Sequence, residues 1–339
     1  MSERYARQVL FPAVGEAGQT RLAAARVLLV GCGALGTVLA NVLVRAGVGR
    51  LTIVDRDYVE PSNLQRQVLF DDADAAAGRP KALAAAEKLR QVNPEVLVEP
   101  VVADVNPSNV ESLLAGATLA LDGTDNFETR YLLNDACVKH GVPWVYAAAV
   151  GAHGATMAVV PGETPCLRCL FPDPAPPGVL PTCETDGVLA PAVGVVANLA
   201  AAEALKLLLG ARDRLRRGML WLDVWTNAFE SLPLAAPRSD CPCCGQRTFP
   251  FLGAPTTSYA LALCGRNTVQ VVVPGRPELS LPELAARLAA VGQVTHDEHL
   301  LRLRLDRYEI TVFPDARALI KGTTDPALAR ALYSRYIGA

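Results

Sequence analysis

ARVLLVGCGALG, residues Ala25 to Gly36, is the stretch on which the fold of this chain turns. Val27-Leu28-Leu29-Val30 is an unbroken apolar run, as a strand buried on both faces of a parallel sheet requires. Gly31, Gly33 and Gly36 follow at G-x-G-x-x-G spacing and lead into a helical stretch from Thr37 to Ala46. In such a turn the first glycine permits the sharp reversal and the second lets a phosphate approach the backbone. The third lets helix and strand pack closely, with the phosphate at the positive end of the helix. A second strand, Leu51-Thr52-Ile53-Val54, ends in Asp55, whose carboxylate falls where a ribose hydroxyl would be held. On these residues alone the ligand could be NAD, FAD, SAM or ATP. Strand, glycines, helix, strand and acid in this order argue against a turn that holds no ligand.

Working outward, a third strand over Val96 to Ala103, a fourth over Thr118 to Leu121 and a fifth over Trp144 to Ala148 alternate with helices. That spacing predicts an α/β fold with a Rossmann-like, mostly parallel sheet. The segment from Asp55 to Gln67, DRDYVEPSNLQRQ, concentrates diverse polar groups, among them Asp57, Asn63, Arg66 and Gln67. A helix begins at Gly78-Arg79-Pro80-Lys81; Pro80 suits its first turn, which aims Lys81 back at the glycine turn. The fourth strand runs into Asp122-Gly123-Thr124-Asp125-Asn126. Ligands of open sheets bind at the carboxyl ends of strands, so Asp125 joins Asp55 in one crevice.

Nine cysteines and no secretory context argue against a disulfide framework and for metal or thiol chemistry. Cys166-Leu-Arg-Cys169 is one C-x-x-C pair and Cys241-Pro-Cys-Cys244 another. Two such pairs in proline-containing loops predict a tetrahedral structural zinc site of Cys166, Cys169, Cys241 and Cys244. Cys243, inside the second pair, is an alternative ligand on spacing alone. Cys183, in a polar loop ahead of an apolar helix, is free; the residues leave a reactive and an inert thiol equally open. Cys32, Cys137 and Cys264 read as packing residues.

The chain has 339 residues and a net charge of -2, room for one large α/β domain and a smaller unit, without a basic field for nucleic acid or anionic membrane. The charged start MSERYARQVLF lacks the apolar core of a signal peptide, so a cytoplasmic protein is expected. The apolar stretch Gly187 to Gly210 has the length of a membrane span, but Pro191, Asn198, Glu203 and Lys206 interrupt it, and a buried helix is expected instead. Three regions follow: 1–249, a nucleotide-binding domain with the cysteine pairs; 250–258, a linker; and 259–339, a small α+β module. Its β-α-β-β-α order, from Asn267 to Ile337, predicts a ferredoxin-like arrangement. His296 and His299 within it read as surface residues.

RYARQ, GCGALG, DRDYVEPSNLQRQ, GRPK, DGTDN, CLRC and CPCC together resemble the ThiF/MoeB/HesA family from Arg4 to about Gln246. These are bacterial relatives of ubiquitin-activating enzymes that adenylate the C-terminal glycine of ubiquitin-like sulfur-carrier proteins. The resemblance implies that Asp55 holds the ribose and Asp125 the magnesium of MgATP, with Asn63, Arg66, Gln67 and Lys81 around the phosphates. It further implies a homodimer in which Arg7 reaches into the partner subunit's active site, and a loop cysteine, Cys183, able to join the carrier covalently. The C-terminal module lacks a rhodanese-like cysteine loop, so sulfur would come from a separate donor, a cysteine desulfurase or rhodanese.

The chemistry asks for the same groups. A carboxylate attacking the α-phosphorus builds negative charge there and on departing pyrophosphate, which Arg, Lys, Mg²⁺ and amide donors stabilise. A C-terminal carboxylate is already ionised near neutral pH and needs no general base. The expected function is therefore ATP-dependent adenylylation of a carrier ending in Gly-Gly, for thiamine thiazole or molybdopterin synthesis, with ATP, Mg²⁺ and Zn²⁺ bound. The rivals are an NAD-dependent oxidoreductase, a tRNA-modifying dehydratase of the same family, and a non-catalytic scaffold. The first leaves Arg66 and Lys81 without a task, the second is disfavoured by the cysteine pairs and the absent basic surplus, and the third by intact Arg7, Arg66, Lys81 and Asp125.

Overall fold

Five strands form the parallel body of the first sheet: β1 (Arg26–Val30), β2 (Arg50–Val54), β3 (Leu97–Val101), β4 (Leu119–Asp122) and β5 (Trp144–Val150). The computed structural model describes residues 3–174, 186–234, 236–253, 259–263, 267–272 and 278–338. Across the sheet the order is β3-β2-β1-β4-β5, with Leu29 paired to Ile53 on one side and Leu121 on the other. Consecutive strands run outward from β1 in one direction and from β4 in the other, so the crevice of the fold lies between the carboxyl ends of β1 and β4.

β1 feeds two cores, as an unbroken apolar strand must. Val27 and Leu29 join residues of the helices Ala34–Ala46, Lys81–Val92 and Ala190–Leu209 on one face, while Leu28 and Val30 join the helix Phe127–His140 on the other. Each is at most 2% exposed, and truncating such a leucine to alanine costs about 2–5 kcal/mol. The helix Ala190–Leu209 has the length and apolar composition of a membrane span. It packs on the helix Ala34–Ala46, on β5 and on the strand His153–Val159, and buries Val193, Val196, Ala197, Ala200 and Ala204 in the first core.

The sheet continues past β5 with three strands absent from the sequence reading: β6 (His153–Val159), β7 (Gly218–Asp223) and β8 (Ala228–Pro233), each antiparallel to its predecessor. β8, at the edge, exposes nearly every side chain, so it carries no apolar alternation to read.

Contacts divide the chain into Met1–Ala254 and Pro255–Ala339. The second unit is α+β, with strands β9 (Tyr259–Leu263), β10 (Thr268–Val272), β11 (Gln293–His296), β12 (Leu301–Arg304), β13 (Glu309–Val312) and β14 (Ala318–Lys321) and the helices Leu281–Leu288 and Pro326–Tyr336. The expected ferredoxin-like pairing is not what the described residues form. Their order is β11-β12-β13-β14-β10-β9 and every pairing is antiparallel. A split βαβ unit needs a helix that returns the chain parallel beside an earlier strand. Here the helix Leu281–Leu288 delivers the chain to the far edge, and short turns then fold β11 to β14 into a meander that closes on β10.

Candidate nucleotide site and cysteine cluster

The three glycines after β1 have unlike surroundings. Gly31 has φ +89° and its N–H donates to the Val54 carbonyl at 2.8 Å; a Cβ on it would sit 2.7 Å from the Gly123 carbonyl. A Cβ on Gly36 would lie 2.0 Å from the Gly31 oxygen. These two let strand, turn and helix approach. Gly33 instead has open space, its nearest neighbour being Gln67 Nε2 at 3.8 Å from a would-be Cβ. Gln67 is 3% exposed, and its Oε1 has no hydrogen-bond partner among the described residues. A buried acceptor thus stands beside uncovered backbone, a polarity that a ligand would satisfy.

Asp55, at the end of β2, accepts hydrogen bonds from the Cys32 N–H at 2.6 Å and the Asp57 N–H at 2.7 Å. Burial pushes its carboxyl above the usual range; Lys81 and the two N–H groups oppose that shift. Lys81 is 2% exposed, donates its N–H to the Asp57 carbonyl at 2.9 Å and holds Nζ 3.2 Å from Asp57 Oδ2. A buried ammonium needs such a partner. Asn63, 1% exposed, shapes the intervening turn: Oδ1 accepts from the Glu60 N–H, and its carbonyl accepts from the N–H groups of Arg66 and Gln67. Arg66 is half-buried and folded onto its own turn, with Nη1 donating to the Ser62 carbonyl at 2.8 Å.

Asp125 lies exposed past β4. Two groups beside it were not singled out from the sequence. Arg56 donates to Asp104 Oδ1 at 2.8 Å; burial works against its charge, but Asp104, Asp57 and Asp125 outweigh it and raise its pKa. Asp122, fully buried, takes Arg130 Nε at 3.0 Å on one oxygen and the Thr124 N–H and hydroxyl on the other. Arg130 also donates to the Thr124 and Ala147 carbonyls and lies over the Phe127 and Tyr146 rings. This pair pins the start of the helix Phe127–His140 to the end of β4. Its signal was an acid closing a strand and an arginine one turn into the next helix.

The segment that carries Arg7 is anchored away from the glycine turn. Its Gln8 donates to the carbonyl of Ala46 at 2.9 Å, the last residue of a helix that begins beside Gly33. Twelve helical steps separate the ends by about 18 Å.

The two cysteine pairs, 75 residues apart, do come together. The sulfurs of Cys166, Cys169, Cys241 and Cys244 lie within 4.8 Å of one another, with Cys166–Cys241 at 3.6 Å and Cys169–Cys244 at 3.3 Å. Four sulfurs about 2.3 Å from a tetrahedral metal are about 3.8 Å apart, so the cluster has the donor set and spacing to hold a metal ion. Cys32 and Cys137 are buried packing residues, as expected, and burial pushes both thiols up. Cys183 and Cys264 lie outside the described residues.

The ThiF family model matches residues 5–243. The sulfur carrier protein ThiS adenylyltransferase of Bacillus subtilis (strain 168) is 45% identical over 340 residues, spanning the whole of both chains. The SAMP-activating enzyme E1 of Haloferax volcanii is 45% identical over 244 residues, 72% of this chain and 89% of its own. The crystal structure of E. coli MccB with MccA-N7isoASN shares the fold at a TM-score of 0.63 and 24% identity, covering 72% of this chain and 74% of that one. With the glycine turn, the acidic strand ends and the paired cysteines assembled on one fold, and with these matches, the chain belongs to the ThiF family.

Proposed function

We propose that this protein is an ATP-dependent adenylyltransferase that converts the C-terminal glycine of a ubiquitin-like sulfur carrier into its acyl-adenylate and releases pyrophosphate. End-to-end similarity to a ThiS adenylyltransferase, the C-terminal module included, favours a ThiS-like carrier and thiazole synthesis over a molybdopterin carrier. The observation that carries the reading is Lys81, buried on Asp57 and close enough to Asp55 and to Cys32 of the glycine turn to act on both. Cations in that place suit phosphate chemistry and have no task in hydride transfer.

In this reading Gly33 and Gln67 face the phosphates, Asp55 receives the ribose, and Asp125 ligates the magnesium that accompanies ATP. A carboxylate oxygen of the carrier attacks the α-phosphorus, the bond to the pyrophosphate oxygen breaks, and Lys81 and Arg66 balance the charge that develops. Arg7, whose neighbour Gln8 is anchored at the far end of the helix that begins beside Gly33, serves the partner subunit of a homodimer. Zinc is the metal that best suits four thiolates, and its role is structural, closing the excursion between the cysteine pairs. Cys183 is the residue for covalent capture of the carrier, and sulfur is delivered by a separate protein.

The test is mass spectrometry of a Gly-Gly-terminated carrier from the same genome after incubation with the protein and MgATP. A carrier bearing one added adenylyl group supports the reading; an unmodified carrier with ATP bound to the protein would favour a scaffold.

A further inference from the structure

The fifth thiol of the cysteine region, Cys243, is unclaimed by the metal site, and its surroundings give it a task. We propose that Cys243 is an anchor rather than a ligand, and that Asn134 is the positioning residue that uses it to clasp the two cysteine pairs together.

The helix Phe127–His140 presents Tyr131, Asn134 and Asp135 on one face, three and four residues apart. Asn134 is fully buried, and both ends of its amide are engaged. Oδ1 accepts the N–H of Leu167 at 2.9 Å, the residue after Cys166; Nδ2 donates to Cys243 Sγ at 3.2 Å, between Cys241 and Cys244. One side chain therefore bonds both cysteine segments. Asp135, beside it on the helix, accepts the Phe251 N–H on Oδ2 at 3.1 Å and so ties down the chain just past the second pair. Tyr131 donates its hydroxyl to the Phe171 carbonyl at 2.8 Å, just past the first pair.

Cys243 Sγ stands outside the set of four mutually close sulfurs, although its residue lies between two of them in the chain. Held by Asn134 and flanked in the chain by Cys241 and Cys244, it is the kind of group that orients metal ligands from behind. The clasp consists of protein groups alone, so it sets the spacing of the pairs before any metal arrives. This inference rests on the cluster taking up a metal, and it is independent of what the glycine turn binds.

Cobalt(II) titration of the full metal-free chain, read by thiolate charge-transfer absorption and by competition with a chromophoric chelator, tests both levels. The wild-type chain is expected to bind one cobalt with a four-thiolate spectrum; failure there would remove the metal reading and the proposal with it. Cys243→Ser is expected to keep the four-thiolate spectrum at one cobalt per chain. Asn134→Ala, and the nearly isosteric Asn134→Asp should the first not fold, are expected to keep the spectrum while binding roughly 10–100-fold more weakly. A three-thiolate spectrum for Cys243→Ser would make Cys243 a ligand, and wild-type affinity in the Asn134 variants would deny the clasp; either result overturns the proposal.

Discussion

At the glycine turn, position is imposed by backbone: the Gly36 Cα and the Gly31 oxygen approach so closely that no side chain fits, and Gly31 packs closely on the backbone of Gly123. At the cysteine cluster, position is imposed by side chains from segments 75 residues apart, gathered on Asn134, Asp135 and Tyr131 of one helix. The first arrangement comes with the fold and leaves one opening, over Gly33. The second exists only after distant segments have met, and a metal would strengthen it. The two regions are joined by the helix Phe127–His140, which is tied to β4 through Arg130 at its start and to the cysteines through Asn134 further along.

Breaking that joint should have the largest effect. Asp122→Ala leaves the Arg130 guanidinium buried without its carboxylate and is expected to cost about 3–5 kcal/mol in urea unfolding. A loss under about 1 kcal/mol would mean that the helix is held elsewhere.

The contrast among the glycines comes next. Gly36→Ala should cost about 3 kcal/mol, because the added carbon meets backbone that has nowhere to move. Gly33→Ala should stay within about 1 kcal/mol of wild type yet bind ATP much more weakly in calorimetry. Equal destabilisation by both would remove the distinction between packing and ligand-facing glycines.

Chelation probes the other region. Stripping metal from the cluster is expected to lower stability by about 2.7 kcal/mol relative to protein held at a hundred times the metal's dissociation constant, as thermal melts would show. Binding of a fluorescent ATP analogue should persist in the stripped protein. Joint loss of metal and nucleotide would show that the two regions are coupled more tightly than their separate supports suggest.

The smallest effect is electrostatic. Asp71 caps the helix Asp72–Ala77, and Lys88 with the Asp74 N–H holds its carboxyl down at about 2, against an ordinary value of 3.8. A depressed carboxyl contributes stability above its unfolded value and loses it as pH falls through the folded one. The stability gap between wild type and Asp71→Asn should therefore be constant above about pH 5 and narrow between pH 4 and 2; a gap that widens on acidification would contradict the pairing.

What was legible in the sequence follows the same division. β1, the glycines and Asp55 could be read because a buried strand, a turn and the next strand end are contiguous and each has its own pattern. The cysteine pairs could be read because thiols at that spacing have few other uses. Arg130 and Asn134 were missed because their partners, Asp122 and Cys243, are set by packing of a helix on a sheet, which leaves no spacing rule. β8 was missed because it is an edge strand with no buried face, whereas β6 and β7 are buried and apolar and were open to reading. In the second unit both helices and three of the six described strands were found, but pairing depends on which strands the turns bring side by side, and the meander replaced the expected ferredoxin-like order.

Carrier-dependent ATP–pyrophosphate exchange, compared between wild type and Lys81→Ala, tests the central claim most directly. Exchange that needs a carrier ending in Gly-Gly and falls about 10²–10³-fold in the variant is the predicted result. Exchange that is absent with every such carrier, or unchanged when Lys81 is removed, would contradict an adenylation site built around that buried cation.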